Sequence, residues 1–206
     1  GPALWKGNAE AVERSIPLSG DSAADITFNY GAGRMNVGPS SNPTELLGGS
    51  FAGGLSEDLQ HFNGKAVLKI NPPADFFPGN WMYGHQGIEW DVRLNREIPL
   101  QLRFHTGACE AHLNLSDLKV SELTIETGAS STEVQLPANA GFTRVVVKSG
   151  AAEVKLHVPQ GVAASIGESS GLSGIKVDTT RFMQNGHTYQ SADFSTAANK
   201  VEIFYE

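Results

Sequence analysis

The chain has 206 residues, 40% of them hydrophobic and 18% charged, with 15 Lys and Arg against 22 Asp and Glu for a net charge of −7. That composition fits a globular chain able to bury a core, in one large or two small domains. The acidic balance excludes a phosphate-backbone partner, which needs a basic surface, so no nucleic acid is expected.

In chain order, Gly1-Pro2 reads as a scar left by an expression protease, with further sequence expected upstream of Ala3. Trp5 to Arg14 is the one stretch with fair helical periodicity, and it is short. Beyond it the pattern alternates with period two, the mark of half-buried strands. In "ITFNYGAGRMNV", Ile26 and Phe28 precede Gly31, and Met35 and Val37 follow it. The glycines resemble a phosphate-binding loop, but the P-loop lysine and the following helix are missing. No apolar run approaches the ~18 residues of a membrane span, and no signal peptide is visible.

Residues 75–90, "DFFPGNWMYGHQGIEW", gather Phe76, Phe77, Trp81, Tyr83 and Trp90 among turn residues. Proline and glycine make this stretch a loop. Exposed aromatics on a rigid scaffold form a recognition surface; folded inward, they would form a lid over one end of the molecule. Phe76, Phe77, Trp81, Tyr83 and His85 are the candidate ligand- or partner-binding residues. Trp90 alternates with Ile88 and Val92, which assigns it to the core. Glu89 and Asp91 share a strand face and could do two-carboxylate glycosidase chemistry, although the alternation explains them as a solvated outer face. Asp75 and His85 could join them around a divalent cation, but hard cations gather denser carboxylates. No metal is expected.

The second half repeats itself. "LRFHTGACEAHLNL", "LTIETGASSTEVQL" and "VVVKSGAAEVKLHV" align on Gly107, Gly128 and Gly150, at intervals of 21 and 22, and "IGESSGLSGIKV" continues at Gly171. Apolar residues recur before each glycine (Leu102 and Phe104, Leu123 and Ile125, Val145 and Val147). They recur after it too (Leu113 and Leu115, Val134 and Leu136, Leu156 and Val158). Strand, glycine, strand at a fixed period predicts an all-β fold: a stacked β-coil solenoid, β-helix-like, with Gly-Ala corners at about a 21-residue period and a β-rich N-terminal half. A closed stack and two facing sheets both fit. Residues 3–97 form the N-terminal half and 98–206 the repeat stack, in one continuous unit.

Stacking in register sets Glu126 beside Lys148 and Glu133 beside Lys155, opposite charges that stabilise a sheet by roughly 0.2–1 kcal/mol a pair. The C-terminal alternation of Val201, Ile203 and Tyr205 reads as the last rung. Its open edge is a route to self-association through the stack ends.

"HTGACEAHLNLS" holds the only cysteine, Cys109, between His105 and His112, with Glu110 beside it. A thiol, two imidazoles and a carboxylate suggest a nucleophile with its base, or metal ligands. The repeat supplies a simpler reason. Both histidines fall on outward rungs, and the equivalents of Cys109 are the small Ser130 and Ala152. No catalytic residue is expected.

"FNYGAGRMNVGPSSNPTELLGGSF" and "IEWDVRLNREIPLQLRFHTGACEAHLNLSDLKVSELTIETGASSTEVQLP" are similar to the toast-rack and LiaF-like C-terminal family of bacterial envelope proteins. The likeness runs from about Ile26 to Val177; related putative-adhesin domains use similar repeats. The resemblance implies a stack of β coils joined to membrane helices. LiaF-type members restrain a sensor kinase that responds to cell-wall-active antibiotics. The expected function is therefore a non-catalytic sensory or regulatory binding domain of a membrane-associated envelope-stress protein, located in the bacterial cell envelope and needing no cofactor. Its partner would be a protein, such as a membrane sensor kinase, or an envelope component. The alternative is a surface adhesin or glycan-binding module.

Overall fold

The computed structural model describes residues 10–73, 88–150, 152–168, 183–185 and 188–206. Among the described residues fifteen strands form one mixed sheet, and there is no helix. The fold is all-β, as the alternation predicts. The helix expected from Trp5 to Arg14 is not formed over its described part. Ala11–Pro17 is strand β1, antiparallel to β3 (Glu45–Ala52). Pairing with β3 and burial of Ile16 override the weak local helical pattern.

The repeat copies become strands as their glycines align. The first copy is one long strand, β2 (Ala23–Pro39), and the second is β7 (Leu100–Asn114). The third divides into β8 (Val120–Thr127) and β9 (Ser131–Gln135), the fourth into β10 (Phe142–Ser149) and β11 (Glu153–His157). All pair in parallel, copy on copy. β2 pairs with β7 from Ala24↔Leu100 to Val37↔Leu113, β7 with β8 and then β9, β8 with β10, and β9 with β11. Each copy so gives one strand to an entry half before the glycine and one to an exit half after it.

Inward residues change phase between the halves. In β2 the buried positions are Ala24, Ile26, Phe28, Tyr30 and Ala32, then Met35 and Val37. In β7 they are Leu100, Leu102 and Phe104, then Cys109, Ala111 and Leu113. A flat strand would keep one phase throughout. The slip shows that the backbone re-aims at the glycine while keeping its apolar side inward.

The glycines themselves differ from expectation. Gly31, Gly107, Gly128 and Gly150 do not adopt positive φ; within β2 it is Gly33 that does, at φ +116. The aligned glycines serve close approach instead. A Cβ on Gly107 would sit 2.6 Å from the Gly31 carbonyl oxygen, whereas on Gly128 it would sit 3.7 Å from that of Gly107. The tight step is the one between β2 and β7.

Two further elements flank this stack. β5 (Lys65–Asn71) pairs in parallel with β2 before the glycine, and β6 (Glu89–Leu94) pairs with β2 after it. Together they occupy the place of one more copy, in which residues 72–88 replace the glycine turn. β3 then pairs antiparallel with β6, and β4 (Ser56–Phe62) with β5. A tight Asn63-Gly64 turn joins β4 to β5, with both residues at positive φ as such hairpins require.

At the other end, β15 (Lys200–Tyr205) departs from expectation. It is not the last rung. It inserts in parallel between β10 and β12 (Ala163–Glu168), and β14 (Thr188–Gln190) and β13 (Met183–Asn185) follow antiparallel. Its buried Val201, Ile203 and Tyr205 explain the place: a strand apolar on its inner face is better covered between two neighbours than at an edge.

One core row runs through the entry half as Leu68, Ile26, Leu102, Leu123, Val145, Ile203 and Ile166, each buried and each opposite the next. Burying each such side chain is worth about 1.5–3 kcal/mol before entropy is charged. Phe28 stacks on Phe104 with centroids 4.9 Å apart. Leu115, Leu118 and Leu136 fill the return segments, where Leu115 N–H donates to the Gln135 carbonyl at 2.9 Å and Leu136 N–H to that of His157 at 3.0 Å.

Candidate functional site

The expected binding residues Phe76, Phe77, Trp81, Tyr83 and His85 lie outside the described residues, as does Asp75. The ground from which their segment departs is described. On the β5 side, the Asn29 amide donates to the Asn71 side-chain oxygen at 2.6 Å. On the β6 side, the buried Tyr30 hydroxyl donates to the carbonyls of Ile88 (3.0 Å) and Arg34 (3.1 Å). Arg34 N–H also reaches the Ile88 carbonyl at 3.0 Å. Burial raises the Tyr30 phenol far above its ordinary value, keeping the donor protonated.

Gly33 completes this root, since any Cβ there would collide with the Ile88 carbonyl. Trp90 packs on Tyr30 with centroids 4.8 Å apart and meets Phe51 edge-on at 5.2 Å, while its indole N–H donates to the Ala52 carbonyl at 3.3 Å. Trp90 is core, as its alternation predicts.

Glu89 and Asp91 do share an outer face. Both accept from the Asn36 amide, at 3.0 and 2.9 Å. This neighbouring amide ties two carboxylates together, as a solvated face allows. Among the described residues no three His, Cys, Asp or Glu groups are placed to hold a metal ion.

The cluster around Cys109 is dispersed by the strand pleat. Cys109 is buried on the inner side, and His105 and His112 lie on the outer side. Burial, reinforced by the neighbouring Glu110 carboxylate, pushes the Cys109 thiol up to about 12, so it stays protonated at neutral pH and is a poor nucleophile. His105 Nδ1 lies 3.0 Å from Glu126 on the next copy. His112 Nε2 lies 3.2 Å from Glu110, and its Nδ1 lies 3.8 Å from Glu133.

The charge columns form with one change. Lys148 faces Glu126 in register, at 3.7 Å, and also meets Glu206 at 3.4 Å. Lys155 stands opposite Glu133 but reaches Glu153 instead, at 3.6 Å; Glu133 takes His157 at 2.9 Å. His105, Thr106, Glu126, Thr127, Gly128 and Lys148 line a shallow open depression along the glycine column.

One polar cluster escaped sequence reasoning. The Glu45 carboxylate is 5% exposed and accepts from Ser15 (2.6 Å), Ser40 (2.9 Å) and Arg93 (3.2 Å). Burial alone would raise its pKa, but these donors hold it below the usual carboxylate range. Asn95, also fully buried, donates to the carbonyls of Pro43 and Glu45 and accepts from the N–H groups of Glu97 and Ile98. With every donor answered, the cluster pins β1, β3 and β6 together. Glu45 lies in "PTELLGG" and Asn95 in "LNRE", with Ser15, Ser40 and Arg93 outside both, and nothing in their spacing says that they meet.

The sequence model for the N-terminal domain of toast_rack, DUF2154, matches residues 5–157. The chain belongs to the toast_rack N-terminal domain family. The match spans the stack from before β1 through β11. No curated protein is similar to the chain in sequence. A crystal structure of a putative cell adhesion protein from Clostridium sporogenes superposes with a TM-score of 0.79 at 17% identity, covering 96% of this chain and 94% of that one. At that identity the likeness shows a shared fold, including the C-terminal strands beyond residue 157.

Proposed function

We propose that the chain is a non-catalytic binding domain of the bacterial cell envelope. In this reading it is the sensory or regulatory part of a membrane-associated envelope-stress protein, with a protein partner such as a membrane sensor kinase. The copies would wind as a β-solenoid with Gly-Ala corners, a stiff mount for whatever the corners carry.

One observation carries the reading. β5 and β6 flank β2 as one further copy, and residues 72–88 between them replace its short glycine stretch, leaving the sheet beside the root of Tyr30, Gly33, Ile88 and Trp90. Segments set on rigid scaffolds are where binding groups sit, because they escape the packing demands of the core. Phe76, Phe77, Trp81, Tyr83 and His85 are the proposed contacts, since aromatic anchors can each carry at least ~2 kcal/mol of binding energy. Membership of the toast_rack family supports the envelope setting.

A second reading, a surface adhesin or glycan-binding module, is supported by the fold shared with the clostridial protein. One experiment separates the two. Immobilised domain is challenged with detergent-solubilised bacterial envelope proteins and, separately, with purified cell-wall glycan. The regulatory reading expects retention of a membrane protein, lost in the Trp81→Ala, Tyr83→Ala double variant while its melting temperature is kept. Retention of glycan alone supports the adhesin reading. If the double variant unfolds, or binds as the wild type does, the segment is not the contact.

A further inference from the structure

Two chains of ion pairs cross the copies on the outer faces. On the exit half, Arg34 meets Glu110 (3.3 Å), Glu110 meets His112 (3.2 Å), His112 meets Glu133 (3.8 Å), and Glu133 meets His157 (2.9 Å). That chain spans β2, β7, β9 and β11. On the entry half, His105 meets Glu126 (3.0 Å), and Glu126 meets Lys148 (3.7 Å), which meets Glu206 (3.4 Å). In both, an imidazole occupies the site where strict alternation of charge calls for a cation. We propose that His105, His112 and His157 form a proton-dependent fastening, which ties neighbouring copies more tightly as the surroundings acidify.

A neutral imidazole has one N–H and can donate an ordinary hydrogen bond to only one of the carboxylates it faces. A protonated one makes a charge-assisted bond and completes the sequence of alternating charges. The other groups facing them do not cancel this gain. His112 is flanked by Asn36 across β2 and by Asn114 on its own strand. His157 lies opposite Gln135, and its strand neighbour Lys155 is occupied by Glu153. His105 lies between Asn29 and Glu126, with Arg103 two residues back and Lys148 beyond Glu126. Among the described residues each histidine thus has a carboxylate within 3.2 Å.

The sign follows from linkage. A group whose proton is held by the fold stabilises it more as pH falls through its titration range. Glu110 acts oppositely: His112 and then Arg34 hold its carboxyl below the usual range, so its contribution is present above that range and lost as pH falls through the lowered value. The fastening therefore strengthens in acid until Glu110 itself takes up a proton.

This inference is independent of the binding role. The test compares the wild type with a His105→Gln, His112→Gln, His157→Gln triple variant, by thermal melts at about pH 8 and about pH 5.5. Glutamine keeps a neutral hydrogen-bonding group, and the remaining histidines are common to both proteins. The difference in Tm should be near zero at the higher pH and reach about 2–6 °C at the lower one. At about 1 M salt it should shrink. A difference that is equal at both pH values, or that favours the variant in acid, overturns the proposal. Should the triple variant fail to fold, His157→Gln alone decides it by the same comparison, with amide exchange of residues 153–157 as the readout.

Discussion

The middle of the stack and its two ends are built on different rules. From Leu100 to His157, neighbours in the chain are neighbours in space, and each copy lies on the one before it in register. At the ends that order breaks. β15 comes last in the chain but lies between β10 and β12, and β5 with β6 flanks β2, which precedes both. A repeat of fixed period predicts pairing only while each turn returns beside the previous one. Capping the stack needs strands of other direction or origin, because the final copy cannot cover its own edge. The antiparallel strands sit where caps are needed: β1, β3 and β4 at one end, β14 and β13 at the other.

The sharpest way to break this comparison is to attack β15. Ile203 is 1% exposed and lies between Val145 and Ile166. As an inserted strand it should behave as core, with Ile203→Ala costing about 2–5 kcal/mol in chemical denaturation. A terminal rung, packed from one side only, would lose much less. A cost under about 1 kcal/mol would return β15 to the edge.

The central order was legible because it is local. Gly107, Gly128 and Gly150 announced the copies, and the apolar positions around them announced the inward face. Cys109 was legible for the same reason, being one small residue in a column of small residues. The place of β15 was not, since "KVEIFY" specifies a strand and an inward face but no neighbour. The copy formed by β5 and β6 was missed because residues 72–88 stand where the glycine should be. Its apolar spacing was available: Ala66, Leu68 and Ile70 before the gap, Trp90, Val92 and Leu94 after it. The root of the aromatic segment was invisible because Ile88 lies 58 residues from the Tyr30 it meets.

Glycine substitutions sharpen the contrast within the stack itself. Gly107→Ala would place a methyl group 2.6 Å from the Gly31 carbonyl, forcing β2 and β7 apart at their tightest point. A cost of about 1–3 kcal/mol is expected. Gly128→Ala meets its nearest atom at 3.7 Å and needs no positive φ. It should be neutral, or stabilise by a few tenths of a kcal/mol through the unfolded chain (about 0.4–1 at most). Equal costs at the two positions would mean that the glycine column serves the turn rather than the approach of copies.

The smallest effect is expected at Cys109. The neighbouring pair is Glu110↔Ser131, and the repeat equivalent of Cys109 is Ser130, whose hydroxyl contacts that of Thr127, so the column tolerates several small side chains. Cys109→Ala removes one buried sulfur beside Tyr30 and should cost no more than about 1 kcal/mol, the low end for loss of a small core group. The thiol gives a second readout. Pushed up to about 12 and buried, it is both protonated and shielded at neutral pH. Alkylation should be slow in the folded protein and accelerate in step with unfolding by denaturant. Because Cys109 sits on the exit half of β7 beside the tight Gly31–Gly107 step, Gly107→Ala should raise its labelling rate at native conditions, whereas Gly128→Ala should leave it unchanged. Fast labelling in the wild type would place Cys109 on an accessible surface, and the reading of the cluster as scaffold would fail with it.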